Sequence, residues 1–123
     1  MIVEKLHEVE KAIEESRQKR TRADRNEPVQ LVAVTKNHDV AAMREAIDAG
    51  VTVIGENRIQ EARQKHATLE REVSWHLIGH LQTNKAKQAV EIFDLIHSVD
   101  SIHLARALDQ AAEKHGKVQD ILV

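Results

Sequence analysis

Apolar residues recur along this chain in two alternating rhythms, and each change of rhythm marks an element. Val3, Leu6, Val9 and Ile13 fall at helical spacing among Glu and Lys, which predicts an amphipathic helix over residues 2–20. The polar stretch from Thr21 to Glu27, closed by Pro28, reads as a connecting loop. Short apolar runs then alternate with helical patterns. The run 31–36, Leu-Val-Ala-Val-Thr-Lys, predicts a strand buried on both faces. Asp39 as N-cap and Gly50 at C′ bracket a helix through Val40, Met43, Ala46 and Ile47. Strand 51–54 precedes Gly55-Glu56-Asn57 and a helix over 58–70. A third unit joins strand 75–78 to a helix from Asn84 to Glu91. A fourth joins strand 94–97 to a helix from Ile102 to His115, ended by Gly116, and a fifth strand opens at 120–123.

The strand ends at Lys36, Gly55, Gly79, Ser98 and Val123 recur roughly every 20 to 24 residues, as βα units do. The fold class is therefore α/β with a parallel sheet, either an open doubly wound sheet or part of a (β/α)8 barrel. A full barrel takes about 250 residues. The 123 residues form one domain with room for a real core: a leading helix, four βα units and an orphan strand. Ending inside an apolar strand leaves backbone groups and apolar surface without partners, which predicts a fragment, a shortened form, or completion by another chain through open strand edges.

Composition narrows the function. The chain is 41% hydrophobic and 31% charged, and 18 basic against 20 acidic residues leave a net charge of −2, which favours neither nucleic acid nor an anionic membrane as partner. The basic cluster 17–22 ends the first helix, where cations suit the dipole. With no cysteine there is no disulfide or thiolate metal site. No apolar run is long enough for a bilayer, and Met1-Ile2-Val3-Glu4-Lys5 lacks a signal peptide's apolar core, so the expected location is cytoplasmic.

Ligands of parallel α/β sheets gather at the carboxyl ends of the strands. Lys36 ends the most apolar run. With its stem among apolar neighbours its charged form would be disfavoured, which makes the amine a candidate Schiff-base nucleophile; the plainer reading of a strand-end lysine is a solvated surface charge. Asn57, His80, Gln82, Ser98 and Asp100 follow the other strands, and Gly55 and Gly79 stand where a ligand or backbone must approach closely. Asn84 and Asp100 serve equally well as helix caps, and Glu56 and Glu61 as surface partners of Arg58. His76 and His80 are four apart, but on a strand and its loop they would not converge on a metal; His97 reads as a hydrogen-bonded core residue. No phosphate-loop or dinucleotide glycine pattern appears, and no elbow motif surrounds Ser98.

The segments Leu31-Val-Ala-Val-Thr-Lys36, Gly55-Glu-Asn-Arg-Ile-Gln-Glu61, Trp75-His-Leu-Ile-Gly-His-Leu-Gln-Thr-Asn-Lys85 and Ile96-His-Ser-Val-Asp100 together resemble the pyridoxal-phosphate homeostasis family (the YggS/PROSC group). The resemblance covers essentially the whole chain. It implies a TIM-type barrel like the N-terminal domain of alanine racemase, here about half of one, that binds pyridoxal 5′-phosphate (PLP). Lys36 matches the lysine that forms the Schiff base, Asn57 falls in the family's GEN segment near the cofactor, and His80 and Ser98 lie on loops facing the same pocket. The implied role is buffering and delivery of PLP without established catalytic turnover, with PLP, amino acids and PLP-dependent apoenzymes as partners. The alternatives are a racemase-like enzyme, which needs acid-base groups on both faces of a substrate carbon, and a half-barrel that self-associates without binding. Family members are nearly twice this length, and their phosphate-holding loops lie in the half not present here. The resemblance therefore implies weakened binding unless a second chain completes the pocket.

Overall fold

Five short strands, each followed or preceded by a helix, form a single sheet in the computed structural model, which describes residues 2–19, 29–36 and 38–123. The strands are β1 (Ala33–Val34), β2 (Val53–Glu56), β3 (Ser74–Leu77), β4 (Leu95–Ile96) and β5 (Asp120–Ile121). The helices are α1 (Ile2–Gln18), α2 (Val40–Asp48), α3 (Ile59–Thr68), α4 (Ala86–Ile92), preceded by a 3-10 turn Thr83–Lys85, and α5 (Ile102–His115). The loop expected at Thr21 to Pro28, and all of the basic cluster from Arg20 onward, lie outside the described residues.

The strands run in sequence order β1-β2-β3-β4-β5, every pair parallel. This order decides between the two architectures left open by the sequence. A crossover between parallel strands is right-handed, so four crossovers that all step in one direction put their helices on one face. A doubly wound sheet must reverse its order; this one does not. One face is covered by helices and the other is bare, the geometry of half a (β/α)8 barrel seen from inside.

One-sided cover explains the burial pattern. On β3, Trp75 and Leu77 are buried and Ser74 and His76 are only half-buried. Ile54, Leu77, Phe93, Ile96, Met43, Leu69 and Leu104 form the fully enclosed core between sheet and helices. Each such side chain contributes about 1.5–3 kcal/mol on burial. The alternation also corrects the reading of residues 31–36. They were expected to be buried on both faces, but only Ala33 and Val34 pair as strand, and Val34 stays 47% exposed because β1 is an edge strand with one bare face.

Helix ends follow local chemistry. Asp39 accepts a hydrogen bond from the Ala42 amide (2.8 Å), and Gly50, at φ +118°, ends α2 in a conformation that side chains resist. Ser101 accepts from the Leu104 amide (3.0 Å) and Gly116 closes α5 at φ +75°. Asn84 and Asp100 are not caps: Asn84 sits inside the 3-10 turn, and Ser101, one residue later, takes the role expected of Asp100.

Candidate functional site at the strand tips

The carboxyl ends of β1 and β2 are locked together by a buried charged cluster. The Thr35 amide donates to the Gly55 carbonyl (3.1 Å), and the Thr35 carbonyl accepts from Lys65 Nζ (2.6 Å). Lys65 also donates to Glu56 Oε1 (2.7 Å) and Glu61 Oε1 (2.8 Å), so all three ammonium protons are used. Glu56 is fully buried and Lys65 is 6% exposed. Burial pulls the Lys65 amine down, but its hydrogen bonds to the two carboxylates outweigh that and its pKa is raised overall. Glu56 and Glu61 are thus not surface partners of Arg58. The signal was in the sequence: Lys65 lies on the apolar stripe of α3 with Ile59, Ala62 and Leu69, four residues after Glu61.

This cluster fixes the backbone beside Lys36. Lys36 lies in the turn that follows β1, two residues past its last paired residue Val34, and Asn57 follows the end of the neighbouring strand β2. Lys36 itself is exposed, which corrects the expectation that its stem lies among apolar neighbours. Among the described residues neither the Lys36 amine nor the Asn57 amide has a side-chain hydrogen-bond partner.

Asn57, Gly79 and Ser98 are brought together across the next three tips. A Cβ on Gly79 would overlap the backbone of Asn57, lying 2.8 Å from its Cα, so only glycine permits this approach. Ser98 Oγ donates to the Gly79 carbonyl (2.6 Å) and ties β4 to β3. His80 points elsewhere: its side chain is 71% exposed, with Nδ1 3.9 Å from Asp100 Oδ2. It lines a cleft of ≈ 730 Å³ between α3 and α4, which Asn57 also borders.

Two histidines that the sequence reading kept apart meet on the bare face. His97 Nε2 lies 3.0 Å from His76 Nδ1, one nitrogen donating and the other accepting. Burial holds the His76 imidazole below its ordinary value; the charge of His97 adds to this and Asp94 opposes it. Among the described residues no group of three or more His, Asp or Glu side chains is placed to hold a metal ion. No described helix is long and apolar enough to cross a membrane.

A one-sided parallel βα sheet whose strands run in sequence order defines an α/β half-barrel. Residues 10–123 match the family described as alanine racemase, N-terminal domain, and the chain belongs to that family. It is 46% identical over 91 residues to a pyridoxal phosphate homeostasis protein of a Synechocystis strain, a match covering 72% of this chain and 42% of the relative. A protein of the same name from Aquifex aeolicus is 38% identical over 120 residues, covering 96% of this chain and 50% of the relative. Among solved structures, PipY of Synechococcus elongatus with PLP bound is 44% identical with a TM-score of 0.80, covering 98% of this chain and 52% of PipY. PipY without PLP superposes with a TM-score of 0.82. The chain thus spans about half the length of the relatives it matches.

Proposed function

We propose that this chain binds PLP at the tips of β1 and β2 and serves PLP homeostasis, with Lys36 as the capturing amine. The observation that carries the reading is that Lys36 and Asn57 follow the ends of the adjacent strands β1 and β2, among the described residues without side-chain hydrogen-bond partners, beside a buried Lys65–Glu56 pair that fixes the Thr35 carbonyl. These residues fit the group. PLP supplies an aldehyde, and an amine without an ion-pair partner can condense with it. Asn57, whose backbone packs against Gly79, would offer its side-chain amide to the cofactor as hydrogen-bond donor and acceptor. His80 and Ser98 are assigned supporting roles at the same rim, Ser98 by fixing the Gly79 carbonyl on which Asn57 rests.

PipY of Synechococcus elongatus, 44% identical to this chain and about twice its length, has been solved with PLP bound. The five strands of this chain supply the part of such a rim that carries Lys36, Asn57, His80 and Ser98. The test is to incubate the chain with PLP, reduce with borohydride, and map the label by peptide mass spectrometry. Labelling concentrated on Lys36, and lost in Lys36→Ala while the rest of the chain stays folded, is the expected result. Equal labelling of Lys36 and other exposed lysines such as Lys87 would refute a dedicated site.

A further inference from the structure

We infer that the cleft between α3 and α4 is a second binding site, for a small organic phosphate ester, independent of capture at Lys36. The cleft measures ≈ 730 Å³, ample for a nucleotide-sized molecule. Arg58, Arg63 and Lys85 line it, five side-chain amides share its walls, and among the described residues no carboxylate does. In a chain with 20 acidic and 18 basic residues, such a segregation makes a local positive field in a molecule of net charge −2.

The three cations are also disengaged. Elsewhere Arg44 donates to the Leu69 carbonyl, Arg71 pairs with Asp48, Lys65 with Glu56, and Lys117 with the Val90 and Phe93 carbonyls. Among the described residues Arg58, Arg63 and Lys85 have no such partner for their side chains. Guanidinium forks match phosphate oxygens bidentately, so two arginines and a lysine suit a dianionic phosphate. Ile59 and Leu81, both largely buried, supply apolar floor for an organic ring, and the amides offer donors and acceptors to its edges. Lys36 does not line the cleft, whereas Asn57 and His80 of the proposed PLP rim do, so the two sites adjoin and differ in their charged groups: Lys36 for one, Arg58, Arg63 and Lys85 for the other.

Two sources share this chemistry, a nucleotide and a vitamer phosphate, and calorimetry on the full chain at low salt separates them. The probes are adenosine 5′-monophosphate, pyridoxine 5′-phosphate (which has no aldehyde to react with a lysine) and inorganic phosphate. One ester binds 1:1, at least tenfold more tightly than inorganic phosphate. The Arg58→Gln/Arg63→Gln double variant weakens it at least tenfold, and Lys36→Ala changes it less than twofold. Both arginines are exposed, so their replacement leaves the fold intact, and circular dichroism confirms it. The inference is overturned by absence of ester binding at millimolar concentration, by equal affinity for inorganic phosphate, or by binding unchanged in the double variant. Tighter binding of a single-stranded oligonucleotide that grows with its length would also overturn it, assigning the cleft to a nucleic-acid backbone. Loss of Lys36 labelling in the preceding experiment leaves this result untouched.

Discussion

Lys65 is an ammonium placed where a leucine would ordinarily sit, and its energetics are those of a buried ion rather than of a surface pair. Removing one member of a buried ion pair costs more than the pair itself contributes, because the other charge is stranded in a low dielectric. Lys65→Met strands Glu56, which is fully buried and already has one oxygen without a hydrogen-bond partner. The expected loss is about 3–5 kcal/mol in urea unfolding. Glu56→Leu combined with Lys65→Met removes both charges and regains most of that loss. A double variant no more stable than Lys65→Met alone would show that the pair matters through its hydrogen bond to Thr35, not through its charge. The pH dependence has a definite sign. The pKa of Lys65 is raised above its ordinary 10.5, so its contribution is complete below that value and disappears as pH climbs through the folded-state pKa. Wild type therefore loses stability in strong alkali more steeply than the double variant does.

At the scale of elements, Gly79 joins the third strand's tip to the second. A methyl group there must displace the Asn57 backbone, which cannot yield as a flexible side-chain end would. Gly79→Ala is expected to destabilise by about 1–3 kcal/mol and to lower Lys36 labelling by PLP, because Asn57 moves with the strand. Gly116→Ala, at φ +75° far from the rim, is expected to cost stability alone. Equal labelling of the two variants at matched folded fraction would separate Gly79 from the site. The alternation of strands and helices was legible in the chain because it rests on local periodicity and caps: α5 begins and ends where Ile102 and His115 predicted. What was not legible depends on neighbours distant in sequence. The exposure of Val34 is set by its place on β1, which among the described residues pairs with β2 alone, and the depth of Glu56 by a lysine nine residues on. The meeting of His76 and His97 needs β3 and β4 side by side, 21 residues apart in the chain. Lys36, expected as the last residue of its strand, lies in the turn two residues past β1; its burial was inferred from its own run of residues, and burial belongs to the sheet.

Among the described residues of this 123-residue chain, β1 and β5 each pair on one side only, and Val34 (47% exposed) and Leu122 (48% exposed) lie along them. Exposed apolar edges recruit further strands. A two-fold axis along the barrel would set β5 of one copy beside β1 of the other, parallel, and repeat the pairing on the opposite side. Two copies would then close ten strands around the bare faces and enclose both Lys36 rims. The expected outcome is a concentration-dependent dimer in sedimentation velocity, with PLP labelling of Lys36 rising as the dimer forms. Val34→Lys puts a charge on the β1 edge and should shift the chain to monomer while leaving its helical content unchanged. A chain that stays monomeric from micromolar to millimolar concentration, and labels equally well throughout, would mean that the open face holds PLP without a second copy.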